Sequence, residues 1–149
     1  MSSTKSSRRS TRAVSLVDAG PLIALFDADA DEHAACVGAL DDLVLPLTTT
    51  LAALTEAMHI LHRIGGLRLQ RRLLNLIERG DLVVATPSNG AWSAISEMMQ
   101  RYADRPMDFP DATLVALADE TGDTRIFTLD ADFHIYRLSR GRRFTVIPA

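Results

Sequence analysis

The chain has 149 residues, 47% of them apolar, with one cysteine and a formal charge of −3. That is material for one core and too little for two ordinary domains. It excludes an internal disulfide, and no run of about 18 apolar residues is present to span a bilayer. Lys5, Arg8, Arg9 and Arg12 all fall before Ala13, so the remainder carries −7, the reverse of the balance usual in a nucleic-acid binder.

Residues 1–12 are basic and rich in Ser and Thr, and no apolar stretch follows as it would in a secretory signal. They are expected to form a disordered tail on a cytoplasmic protein, with residues 13–149 as one domain. Ala13 to Val17 reads as a strand; Asp18 ends it, and Gly20-Pro21 opens a helix over Leu22 to Phe26. Asp18 there suits either an N-cap or a ligand crevice.

A second strand is expected over Leu43 to Leu45, then a helix over Leu51 to Ile64 whose apolar arc holds Leu51, Leu54, Ala57, Met58, Ile60, Leu61 and Ile64. Glu56 falls just outside the edge of that arc, which suits a pocket rim. His33, His59 and His62 read as surface or helix-packing residues. After a break at Gly65-Gly66, Arg68, Arg71, Arg72 and Arg79 form a basic stripe opposite Leu69, Leu73, Leu76 and Ile77. The leucine-rich hairpin over Leu51 to Ile77 offers an apolar face to a second copy or a partner helix.

Leu82 to Ala85 is the third expected strand. Trp92, Ile95, Met99 and Tyr102 recur at helical spacing, as core packing or a subunit contact requires. In Met107-Asp108-Phe109-Pro110-Asp111-Ala112, Asp108 caps a helix, Pro110 fits its first turn, and Asp111 adds a second acid at the positive end of the dipole. The helix that follows, Ala112 to Ala118, is apolar nearly all round and should be buried. Arg125 to Leu129 is the fourth strand, and period two aims Thr128 and Asp130 the same way; Asp130-Ala131-Asp132 also reads as a turn. Arg137, Arg140, Arg142 and Arg143 make a second basic patch beyond His134, and Phe144 to Ile147 is the last strand.

Strands alternating with helices imply an α/β fold, three layers α/β/α around a mainly parallel sheet, with ligands outside the carboxyl ends of the strands. Asp18, Glu56, Asp111 and Asp130 each stand where an apolar segment begins or ends. A carboxylate beside a core needs a partner, and hard cations such as Mg²⁺ and Mn²⁺ want oxygen ligands. These four acids therefore suggest a metal pocket, with Thr128 and Asp132 in support.

The motifs Val17-Asp18-Ala19-Gly20-Pro21-Leu22, Thr55-Glu56-Ala57, Met107 to Ala112 and Phe127-Thr128-Leu129-Asp130 resemble, in order and separation, those of PIN domains, the nuclease fold of VapC-type toxins of toxin–antitoxin systems. The resemblance implies an endoribonuclease dependent on one or two Mg²⁺ or Mn²⁺ ions, with Asp18, Glu56, Asp111 and Asp130 as ligands and catalytic acids, and products ending in 3′-hydroxyl and 5′-phosphate. It also implies an antitoxin partner and a homodimer. Gly20-Pro21 departs from the commoner Ser/Thr-rich turn. RNA approaching an acidic body needs basic rims, and Arg68, Arg72, Arg142 and Arg143 are the candidates. A catalytically silent RNA-binding or scaffold domain is the alternative, though such a protein should have lost acids. An aspartyl phosphatase is disfavoured because no second Asp stands two residues after Asp18.

Overall fold

In a computed structural model, which describes residues 15–148, five parallel strands lie in the order β3-β2-β1-β4-β5. The elements in chain order are β1 (Leu16–Val17), α1 (Ala19–Ala24), α2 (His33–Ala39), β2 (Leu47–Thr50), α3 (Leu51–Glu78), β3 (Leu82–Ala85), α4 (Trp92–Arg101), α5 (Phe109–Thr121), β4 (Arg125–Phe127) and β5 (Thr145–Ile147). The basic tail expected over residues 1–12 lies outside the described residues.

Helices cover both faces, as the alternation of elements predicts. In β1 and β4 the pleat assigns successive residues to opposite cores: Leu16 pairs with Ile126 on one side, Val17 with Phe127 on the other. The first core is closed by α4 and α5, the second by α1, α2 and α3. Buried on both faces, Leu16–Val17 and Ile126–Phe127 are apolar at successive positions and show no polar alternation.

The chain winds outward from β1 through β2 to β3, then returns to place β4 on the other side of β1. The switch point therefore lies between β1 and β4, and a crevice opens beyond their carboxyl ends. Asp18 follows β1 and Thr128 follows β4 at that crevice.

The second strand departs from expectation. Leu43 to Leu45 is an irregular link, with Val44 and Leu45 exposed, and the strand is Leu47–Thr50. Pro46 lacks an N–H and so cannot donate to a ladder; pairing begins after it, where Thr48 N donates to Ser15 O. Helix α1 starts three residues earlier than expected, at Ala19, because the Asp18 side chain caps it there.

Helix α3 is two limbs. Gly66 leaves the helical region at φ 67°, ψ −155°, and Gln70 Nε2 then donates to Met58 O at 3.1 Å. Twelve residues of straight helix would separate those positions by about 18 Å, so the second limb turns back on the first, as the Gly65-Gly66 break predicts. His33 has the packing role expected of it, its Nδ1 lying 2.7 Å from Ala24 O. No helix among the described residues is long and apolar enough to cross a membrane.

Candidate active site

Asp18 is 7% exposed and serves two elements at once. Its N–H extends the ladder to Phe127 O at 3.0 Å, and its Oδ1 accepts from Ala19 N at 2.8 Å as the cap of α1. The other oxygen, Oδ2, accepts from Thr128 Oγ1 at 3.0 Å. That hydroxyl in turn accepts from Asp130 N at 3.0 Å, so one threonine fixes both acids. Asp130 is half-buried and closes its own turn, accepting from Asp132 N at 2.9 Å.

Asp111 arrives from the other side of the crevice, in the first turn of α5. Asp108 caps that helix by accepting from Asp111 N at 3.0 Å, and Pro110 occupies the first turn. Asp111 is 6% exposed; its Oδ2 accepts from the buried Tyr136 hydroxyl at 3.2 Å. Asp18, Asp111 and Asp130 each present one carboxylate oxygen within 4.8 Å of the others'. Among the described residues none of the three forms an ion pair with a cationic side chain.

Such crowding shows in the protonation equilibria. Burial pushes Asp111 up to about 8, with the charges of Asp18, Asp108 and Asp130 acting the same way and the Tyr136 hydroxyl opposing them. Asp18 is raised by burial and by Asp130 and Asp108, against the stabilising Ala19 N–H and Thr128 hydroxyl. Glu56 is half-buried and stands outside the close triad: burial raises its pKa first, then the charges of Asp108, Asp18 and Asp130.

The donor set fits a divalent cation. Two oxygens on opposite sides of a Mg²⁺ ion are about 4.2 Å apart, a separation comparable with the 4.8 Å within which one oxygen of each of the three acids lies. Oxygen-only donors suit hard ions rather than zinc or copper. The ion's charge would also relieve the repulsion that raises these pKa values.

The remaining candidates separate. Asp132 turns toward Arg105, 3.7 Å away, rather than into the triad. Arg142 is engaged with Asp119 at 3.4 Å, and Arg143 is exposed beside its backbone pairing with Arg137. Arg68 and Arg72 line a shallow surface with Leu67, Arg71 and Asn75. Of the aromatic stripe, Ile95 is buried, Met99 and Tyr102 pack against the same core, and Tyr102 Oη accepts from Arg137 N at 3.1 Å. Trp92 is 59% exposed and stacks on Phe109 with ring centroids 5.9 Å apart. Tyr136 is the residue that sequence reasoning missed, and no periodicity or motif marks it.

Comparison with known proteins places the chain in a family. The chain is 28% identical over 134 residues to Ribonuclease VapC26 of Mycobacterium tuberculosis (strain ATCC 25618 / H37Rv), spanning 89% of this chain and 99% of that protein. Its fold superposes on the crystal structure of Mycobacterium tuberculosis VapC20, described as a sarcin–ricin loop cleaving toxin, with a TM-score of 0.72 at 21% identity, covering 78% of this chain and 90% of that one. A toxin–antitoxin complex from Klebsiella pneumoniae gives a TM-score of 0.61 at 20% identity, covering 80% of this chain and 89% of that one. The PIN domain family matches residues 15–138. The chain therefore belongs to the PIN domain family, and its similarity within that family runs to proteins of the VapC type.

Proposed function

We propose that this protein is an endoribonuclease that hydrolyses RNA phosphodiester bonds with one or two Mg²⁺ or Mn²⁺ ions, and that it is the toxin of a toxin–antitoxin pair acting in the cytoplasm. The observation that carries the reading is the meeting of Asp18, Asp111 and Asp130 at the switch point of the sheet, buried or half-buried and unpaired with any cationic side chain among the described residues. Three like charges so placed are costly without a counter-ion. The relative named as a ribonuclease and the neighbour described as a loop-cleaving toxin support RNA as substrate.

Asp18, Asp111 and Asp130 would hold the cation, with Glu56 at the rim contributing through water or a second ion. When bound, such an ion activates water and offsets charge on the phosphate. The chain's own part is to fix the carboxylates: Thr128 orients Asp18 and the backbone of Asp130, and Asp108 anchors the turn that carries Asp111. No serine, cysteine or histidine stands in this set, so the attacking group is water; the resemblance to PIN nucleases implies 3′-hydroxyl and 5′-phosphate ends.

Arg68, Arg72 and Arg143 are exposed and outside any ion pair among the described residues, and so are offered to the RNA backbone; Arg142 must first leave Asp119. The Klebsiella neighbour is a toxin–antitoxin complex, and a cognate antitoxin and a homodimer belong to the same reading. Two apolar regions lie open for them: Leu51, Trp92 and Phe109 line one cavity, Val37 and Leu45 another.

The test is cleavage of RNA by the purified chain. Activity is expected with Mg²⁺ or Mn²⁺ and none with EDTA. Asp18→Asn and Asp111→Asn should each lower the rate by more than the roughly 10- to 100-fold that losing an outer partner of a metal ligand costs. Cleavage that survives EDTA or both substitutions rejects the reading. RNA binding without turnover would instead favour a silent domain.

A further inference from the structure

Tyr136 is fully buried, and its ring is held edge-on by Tyr102 at 5.0 Å and by Phe133 at 5.1 Å. A buried phenol needs a partner for its hydroxyl, and the partner here is Asp111 Oδ2 at 3.2 Å. Among the described residues that carboxylate accepts no other hydrogen bond. Water is largely excluded from it, and three neighbouring acids repel it. A tyrosine hydroxyl carries its proton at neutral pH, so it donates to the carboxylate.

The two residues come from different parts of the fold. Asp111 opens α5, whereas Tyr136 follows the short turn that begins at Asp130. Their hydrogen bond ties the helix that supplies one acid to the loop that supplies another, and the ring behind the hydroxyl is packed edge-on by Tyr102 and Phe133.

We infer that Tyr136 is a positioning residue, which fixes the rotation of the Asp111 carboxylate so that its remaining oxygen faces Asp18 and Asp130 in the orientation a divalent cation requires. This rests on the metal-dependent reading above. Outer-sphere hydrogen bonds to ligating carboxylates set affinity in this way, and losing one costs about 10- to 100-fold.

The experiment is calorimetric titration of Mn²⁺ into the full chain without RNA, for the wild type, Tyr136→Phe, Tyr102→Phe and Asp111→Asn, with thermal unfolding in EDTA alongside. Tyr136→Phe keeps the ring and should still unfold in one cooperative transition, at a somewhat lower temperature because Asp111 Oδ2 loses its partner, yet bind Mn²⁺ about 10- to 100-fold more weakly. RNA cleavage by that variant should require correspondingly more Mn²⁺ and approach the wild-type rate at saturation. Tyr102→Phe, whose hydroxyl meets Arg137 N and not an acid, should bind Mn²⁺ like the wild type. Equal affinity in Tyr136→Phe and wild type overturns the inference, as does equal weakening in both tyrosine variants, which would place the effect in ring packing. A wild type that binds no Mn²⁺ rejects the nuclease reading as well; Asp111→Asn losing binding while Tyr136→Phe retains it rejects the positioning role alone.

Discussion

Thr128 joins two acids through one hydroxyl, donating to Asp18 Oδ2 and accepting from Asp130 N, each at 3.0 Å. Valine has nearly the same shape and neither capacity. Thr128→Val therefore leaves a buried carboxylate oxygen and a backbone N–H without their partners, at a cost of about 1–3 kcal/mol. Urea unfolding should register that loss and Thr128→Ser should recover most of it; equal stability of the valine variant and wild type would show that water replaces the hydroxyl. This pair was legible in the sequence because a segment ending Thr-Leu-Asp puts both side chains on one face by period two, although β4 itself stops at Phe127. Asp111 was legible because one cap explains Asp108 and leaves the second acid without a structural purpose. Tyr136 was not, since it follows a short irregular turn, where neither period two nor period 3.6 applies. Asp132 illustrates the same limit: spacing places it beside Asp130, and only the position of Arg105 turns it away.

The elements were legible to the extent that their boundaries are set by local chemistry. Proline and aspartate mark the start of α5 in sequence and structure alike. The second strand was misplaced because Leu43 to Leu45 has the more apolar run, whereas ladder pairing with Ser15 and β3 selects the threonine-rich segment after Pro46. In α3 the two glycines at the break have different tasks. A Cβ on Gly65 would lie 2.5 Å from Leu69 Cδ1, so that position needs space; Gly66 has open surroundings but sits at φ 67°, ψ −155°. That backbone region is nearly exclusive to glycine and costs other residues about 1–3 kcal/mol. Gly66→Ala should lower unfolding stability by that amount through the backbone alone. Unchanged stability would mean that the two limbs tolerate another angle.

At the scale of the molecule, the fold gathers repelling carboxylates at the one crevice its topology opens, and a body already at −7 without its tail cations does nothing to offset them. The consequence for metal-free protein follows from the direction of the shifts. Asp111 is raised from 3.8 to about 8 by burial and then by its acidic neighbours, so between those values the folded state binds a proton that the unfolded chain has released. Stability is then greatest at acid pH and is lost as pH rises through about 8, with the raised Asp18 and Glu56 acting in the same direction. A bound cation reverses this, because it takes the ionised carboxylates and displaces their protons, and its affinity climbs with pH. Thermal unfolding in EDTA and in saturating Mn²⁺ should therefore diverge as pH is raised toward 8. Asp111→Asn removes the repelled charge, so in EDTA near pH 8 it should unfold at a higher temperature than the wild type while gaining little from Mn²⁺. A variant that is both more stable without metal and less responsive to it would mean that the wild-type cluster is held together against its own repulsion. Parallel EDTA and Mn²⁺ curves in the wild type would mean that the acids bind no ion, and the crevice would then need another counter-charge to account for its composition.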